Sequence, residues 1–577
     1  IFDANNDSTV KFIKHLKDEI QQEYSNAFFN SNLSPNHKID DLISGLLNVS
    51  YKAENEKIFS SNYQLIQIVS NSVTSRDLRK SFNKKKFKEI KHRKLIDEYQ
   101  KLQILKNSIY ISDEFSSFKK KELKDLNAQS FNSFERSSKI DKKILEIEKK
   151  IKSEIPEYFS KIKPTGSKLS TIKTKLNKKD LFLEYFFFEN KTYVIIVTNK
   201  NYKILKLNLK KDDLEKLAQN IKQSLTIDEN GNLNKYNVKS SFELYSKIFK
   251  PIEKFLNNKS NIILAPNSFL NFIPMHILPT SGKNNCLDCS RISWLKDKYN
   301  FTYIPNSEFF TLKKKPLLNF SKLLSNKKPF YLGIGNPDLE PDIENLRAKN
   351  KNQDLKVITS MLRGNNFIKD TSEIGNIYTS VIGSEEEIKK ISEILKPLKS
   401  DLLLKSEANE KKLKSMSLQD YKIIHFATHG ELAGYIKGKN EPFLVLTPPK
   451  IGTEENDGLL NLSEIMSLEL NANLVILSAC NTASNNIREA EGFTGLARAF
   501  LYAGSNSVMV SNWYIETFAA QKLTTNFIQN LREKNINNSE ALTISMNKLS
   551  QDPQTSHPFY WGPFVIVGLI DNLKINS

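Results

Sequence analysis

The feature that most constrains the fold is a series of short apolar runs from residue 261 onward: NIILAPN, PFYLGIGNP, YKIIHFATHG, PFLVLTPP, LVILSACNT, NSVMVSNW and FVIVGL. Each is about a strand long and lacks the polar–apolar alternation of a strand with one wet face. Each is therefore expected to be a strand buried on both faces. Between them, SEEEIKKISEILKP, EANEKKLKSM and GFTGLARAFLYAG carry apolar residues at helical spacing. This alternation predicts an α/β domain whose mainly parallel sheet is flanked by helices.

The earlier part of the chain has a different texture. Up to about residue 160 it is dense in Lys, Glu, Leu, Ile and Ser, with Pro35 and Pro156 as its prolines. RKLIDEYQKLQILKNSIY and SKIDKKILEIEKKIKSEI place Leu and Ile three and four residues apart between charges, the pattern of helices that pair along a narrow seam. An all-α helical arm is expected over 1–163, built as a long hairpin or as degenerate tetratricopeptide-like repeats, although no fixed repeat period is present. PTGSKLS marks a boundary. DLFLEYFFFENKTYVIIVTNKNYKILKLNL, rich in aromatic and β-branched residues with turn signals between, predicts a β-meander within a β-rich, non-catalytic segment over 164–239. The remaining residues, 240–577, are expected to form the α/β domain.

A chain of 577 residues exceeds one ordinary core, so two to four domains are expected. The net charge of +20 is compatible with a nucleic-acid partner, but only ten basic residues are Arg and the lysines are spread along the whole chain. A compositional bias accounts for the charge, and nucleic-acid binding is not expected. No apolar run is long enough to span a bilayer and no leader is visible. A cytoplasmic location is the expectation, although a first residue of Ile1 in place of Met leaves room for a removed leader or upstream domain. Three cysteines exclude a disulfide framework. Cys286 and Cys289 form a lone CxxC that lacks half the ligands of a zinc site; they are either two loop thiols or a local disulfide. No metal and no cofactor are expected.

YKIIHFATHG poses the chemical question, because His425 and His429 stand four apart. On a helix they would share a face; on a strand they are about 13 Å apart and do not readily share a metal. HFATH also lacks the glutamate of the H-E-x-x-H zinc-protease pattern. His425 is expected to be a packed strand residue, whereas His429 sits where strand gives way to loop, before Gly430. Cys480 occupies the same place after the strand LVIL. Functional crevices of open α/β sheets lie at the carboxyl ends of the strands, so both residues are expected to face one crevice. A thiol beside an imidazole can give up its proton to form a nucleophilic thiolate–imidazolium pair, and the backbone N–H groups of Gly430 and Cys480 are candidates to bind an oxyanion. A buried cysteine that merely fills space is the competing reading.

HFATHG, DGLLNLSEI, LVILSACNT, REAEGFTGLARAFLYAGSNSVMVSNW and HPFYWGPFVIVG follow one another in the order and spacing of the CHAT domain, a bacterial caspase-like cysteine peptidase module, and the chain resembles that family over about 240–571. FLNFIPMHILP and FYLGIGNPD resemble its upstream, non-catalytic segments, and the helical arm is similar to the region that follows tetratricopeptide repeats in such proteins. The resemblance implies a caspase-like fold and a catalytic dyad of His429 and Cys480. One departure is visible: the family continues from the tryptophan with Pro and paired aspartates, whereas this chain has Tyr514, Ile515 and Glu516.

The expected function is a cysteine endopeptidase acting on protein substrates, with the arm binding a protein partner that regulates or targets it. A non-enzymatic signalling scaffold with a vestigial dyad is the alternative. Asp457 and Glu516 are candidates to line the pocket for the residue before the cut, which would favour Lys or Arg there. Equally, Asp457 can initiate a turn with Gly458, and Glu516 can cap the helix that TFAAQKLTTNF begins.

Overall fold

The structure is a computed structural model describing residues 37–70, 127–156, 166–228, 230–256, 261–282, 284–312, 328–339, 383–431, 441–453, 455–478, 490–534 and 536–569, with single positions within 92–102 and at 158, 374, 378 and 381. Residues 1–36, most of RKLIDEYQKLQILKNSIY and the stretch ACNTASNNIRE that contains Cys480 lie outside the described residues.

In chain order the main elements are α1 (His37–Ala53), α2 (Glu56–Ser70), α3 (Asn127–Glu154), β1 (Asp180–Phe188), β2 (Lys191–Val197), β3 (Tyr202–Leu207), α4 (Lys211–Gln223), α5 (Val238–Ile248), β4 (Asn261–Ala265) and β5 (Asn300–Tyr303). There follow α6 (Ser307–Leu312), β6 (Tyr331–Pro337), α7 (Ser384–Ile394), β7 (Ser400–Lys405), β8 (Ile423–Ala427), β9 (Gly430–Glu431), β10 (Phe443–Val445), β11 (Leu459–Asn461) and α8 (Leu462–Ser467). The last are β12 (Leu474–Leu477), α9 (Ala490–Ala503), β13 (Ser507–Ser511), α10 (Thr517–Glu533), α11 (Asn538–Ser550) and β14 (Phe564–Gly568). The N-terminal region is helical and the remainder is α/β, as the apolar periodicities require.

The chain divides into two compact units, one drawn from 1–79, 163–320 and 526–577 and the other from 80–162 and 321–525. In the first, the strands run in the order β3-β2-β1-β4-β5-β14. β1, β2 and β3 form the antiparallel meander, and β1 pairs in parallel with β4, so meander and parallel strands belong to one sheet. Cys286 and Cys289 are joined as a local disulfide at 2.06 Å, one of the two alternatives open in the sequence.

In the second unit, β13-β12-β8-β6-β7 follow one another and pair in parallel throughout. The apolar runs of β13, β12, β8 and β6 are buried on both faces, as expected of strands covered by helices, whereas edge strand β7 is largely half-buried. PFLVLTPP departs from the expectation. Only Phe443–Val445 is extended, and it lies in a separate three-stranded antiparallel sheet of order β11-β10-β9. Prolines flank this run at 442, 448 and 449, which limits the ladder to a strand too short to span the main sheet.

In the first unit α2 docks on β1 through a buried carboxylate. Tyr63 and Gln67, one helical turn apart, reach Glu184 in the middle of β1: the Tyr63 hydroxyl donates at 2.7 Å and Gln67 Nε2 donates at 3.0 and 2.9 Å. Ser307 at the start of α6 completes the cluster by donating to Gln67 Oε1 at 2.6 Å. Burial pushes the Glu184 carboxyl up to about 7, although the Gln67 and Tyr63 hydrogen bonds favour its charge. In the folded protein it therefore holds a proton that the unfolded chain loses near 4.5. Its contribution is fully present below about pH 4.5 and is lost as pH rises through about 7. His276 and His557, driven down to about 4 by burial, act in the opposite sense over part of this window. The clean measurement is a difference. Glu184→Gln is expected to gain stability relative to wild type between about pH 4.5 and 7, on the order of 3 kcal/mol in all, with no further gain above that range. Urea denaturation of both proteins across pH checks this.

Candidate active site

β8 and β12 lie side by side and parallel, with Leu474 opposite Ile423, Ile476 opposite His425 and Leu477 opposite Phe426. The pairing continues past the strand, since the Ser478 amide donates to the Phe426 carbonyl at 2.9 Å. The chain leaves β12 at the same end of the sheet at which β8 passes into Thr428, His429 and Gly430. That is the carboxyl end, where open parallel sheets bind ligands. Cys480, two residues past Ser478, lies outside the described residues together with its backbone amide.

His429 is half-buried and held from two sides. Its carbonyl accepts from the Val445 amide at 2.9 Å, and the Thr428 hydroxyl donates to the Val445 carbonyl. Gly430 opens β9 and pairs with Leu444. The imidazole of His429 lies against the ring of Tyr378, with centroids 5.3 Å apart and planes inclined at 34°. Tyr378 is buried in an apolar cluster with Leu339, Ile374, Phe443, Val445 and Leu459.

His425 is a strand residue with no exposed surface, as expected, but its partners are polar. Nδ1 is 3.1 Å from the Tyr331 hydroxyl, and Nε2 stands 3.2 Å from Glu387 Oε1, close enough for an ion pair though off the line of a hydrogen bond. Glu387 is itself 2% exposed, accepts from Thr524 Oγ1 at 2.7 Å and receives a longer bond of 3.4 Å from Ser478 Oγ. Burial first, and the Glu387 charge second, hold the Tyr331 phenol protonated far above the usual range.

A glycine makes this approach possible. Gly333 pairs opposite His425, and a Cβ there would meet Ile388 at 2.5 Å, so only hydrogen lets α7 lie near enough to deliver Glu387. Glu387, Tyr331 and Tyr378 escaped the sequence reading. Glu387 is one of three acids in the first turn of α7, but Ile388 and Ile391 beside it are buried, and its place one turn before Ile391 puts it on the apolar face. Tyr378 stands in no apolar run or motif.

The two acidic candidates are both engaged with backbone. Glu516 accepts from the Phe518 amide at 2.9 Å and the Ala519 amide at 3.0 Å, the bonds of an N-cap on α10, and is half-buried. Asp457, 4% exposed, accepts from the Leu459 amide at 3.0 Å. The turn that carries it is fastened by buried Glu410, which accepts from the Asp457 and Gly458 amides at 2.9 and 2.7 Å. Gly458 has φ +87°, and a Cβ would sit 2.9 Å from the Pro448 backbone. Among the described residues no group of His, Cys, Asp and Glu could hold a metal ion, and no helix is long and apolar enough to cross a membrane.

Several known proteins are similar to this chain. Tetratricopeptide repeat protein 28 from Homo sapiens is 26% identical over 221 residues, covering 34% of this chain and 9% of the relative, and the Mus musculus protein matches over the same extent. The chain thus spans less than a tenth of these relatives. Among solved structures, a crystal structure of the Saccharomyces cerevisiae separase–securin complex is similar with a TM-score of 0.40 and 12% identity, covering 99% of this chain and 37% of that one. The Arg-specific cysteine proteinase gingipain R is similar with a TM-score of 0.33 and 9% identity, covering 63% and 77%. The family model of the CHAT domain matches residues 238–569, more than half the chain, over the stretch that carries HFATHG and LVILSACNT. The chain belongs to the CHAT domain family.

Proposed function

We propose that this protein is a cysteine endopeptidase in which Cys480 is the nucleophile and His429 moves the protons. The observation that supports this most is the emergence of His429 and the Ser478–Cys480 segment from adjacent parallel strands at the same end of the sheet. Cys480 gives its thiol proton to His429, and its Sγ attacks the scissile carbonyl carbon, whose oxygen takes the electron pair. The backbone N–H groups of Gly430 and Cys480 are the donors assigned to that oxyanion. His429 then protonates the leaving amine as the C–N bond breaks. Water, losing its proton to His429, attacks the acyl-enzyme and releases the thiol.

Partner binding is assigned to the N-terminal helices, which carry no catalytic constellation. Because Tyr63 and Gln67 cover Glu184, removing these helices exposes a buried carboxylate, so truncation is a poor test of their role. Capture of substrate on intact Cys480→Ala protein is better suited.

With fluorogenic peptides, Cys480→Ala and His429→Ala are each expected to lower hydrolysis by roughly a thousandfold or more while leaving stability near that of wild type. His425→Ala is expected to behave differently, losing about 3 kcal/mol of stability because it opens a cavity beside buried Glu387 and removes the imidazole from it, leaving the Thr524 and Ser478 hydroxyls. Wild-type stability in His425→Ala would show that the buried pair contributes little. For specificity, half-exposed Glu516 is assigned to meet a basic side chain before the cut. Peptide-library profiling of wild type and Glu516→Gln is expected to show a Lys or Arg preference that weakens in the variant. An acidic or purely apolar preference in wild type excludes it.

A further inference from the structure

We propose that Tyr378 is a positioning residue of His429: its ring, held in the apolar cluster with Leu339, Phe443, Val445 and Leu459, restricts the orientations of the imidazole. This deepens the peptidase reading and rests on it. A half-buried histidine can place its ring in several rotamers, and each is a different place for its ring nitrogens. Here the ring meets a wall. The Tyr378 ring lies 5.3 Å from the imidazole, and Tyr378 itself is 4% exposed.

The same cluster holds the backbone of His429. Val445, which packs with Tyr378, donates its amide to the His429 carbonyl and accepts at its own carbonyl from Thr428. Phe443 and Leu459 bring the neighbouring strands of the small sheet into the cluster. Main chain and side chain of the histidine are therefore referred to one rigid body, the condition for preorganisation of a catalytic group. The π face of Tyr378 also stands beside the cation that forms when His429 takes the thiol proton, which favours the transferred state.

Cys480 provides a readout that needs no substrate. The chain has three cysteines, and Cys286 and Cys289 are paired, so Cys480 is the remaining thiol under non-reducing conditions. Iodoacetamide alkylation at pH 7 is to be measured in the full chain as wild type, His429→Ala, Tyr378→Phe, Tyr378→Leu and Phe443→Leu. Expected are a slowing of about tenfold in His429→Ala, about three- to fivefold in Tyr378→Leu, and less than about twofold in Tyr378→Phe. In peptide hydrolysis the Tyr378→Leu loss is expected in kcat rather than KM. Phe443→Leu loosens the same cluster but keeps the Tyr378 ring, and is expected to lower Tm while slowing alkylation by less than about twofold.

If Tyr378→Leu alkylates like wild type while His429→Ala is slow, Tyr378 only fills the core and the proposal fails. A Phe443→Leu protein as slow as Tyr378→Leu overturns it in the same way, because general loosening then explains both. Wild-type alkylation in His429→Ala instead defeats the assignment of the base itself, and the role of Tyr378 falls with it.

Discussion

The parallel ladder between β8 and β12 is the constraint on which the candidate site depends. Parallel strands cannot be joined by a tight turn, so Ile423–Ala427 and Leu474–Leu477 become neighbours only through a long crossover. In this chain that crossover carries the small antiparallel sheet, the Asp457–Gly458 turn and α8. The register brings His425 opposite Ile476 and sends His429 and Ser478 out of the same end. A two-residue slip would carry one of them about 7 Å along the strand, beyond the reach of a proton transfer.

Beneath that ladder the sheet tolerates buried polar side chains. Glu387 and His425 are both buried, and continuous apolar strands would ordinarily exclude them. The arrangement survives because Tyr331, Thr524 and Ser478 bring hydroxyls to the pair, and because Gly333 lets α7 come close. The first unit uses the same device at Glu184, where two side chains of one helix face satisfy a carboxylate in mid-strand. In both places a buried acid ties a helix to a strand, and directional bonds specify that docking more narrowly than apolar contact does.

Much of this was legible in the residues. Short continuous apolar runs between amphipathic segments announced the parallel sheet, and HFATHG and LVILSACNT pointed to the candidate site at its carboxyl end. Glu516 and Asp457 show the limit of such reading. Each was open to a pocket role and to a backbone role, and the backbone bonds of both are now visible. PFLVLTPP was misplaced for a related reason. An apolar run states that a strand will be buried, whereas its partner depends on what returns to meet it, and here LLN does so antiparallel.

The sequence by itself determined the α/β class, the helical N-terminal region and the placement of His425 within a strand and His429 past its end, because these follow from local periodicity and turn chemistry. It also determined the CHAT family, because ordered motifs survive where overall identity does not. Only the tertiary structure decided that Glu387 meets His425, that Tyr378 backs His429, and that the meander and parallel strands of the first unit share one sheet. Those residues are tens of positions apart in the chain. Their contacts depend on the register of strands and the approach of helices, which no local pattern of residue types records.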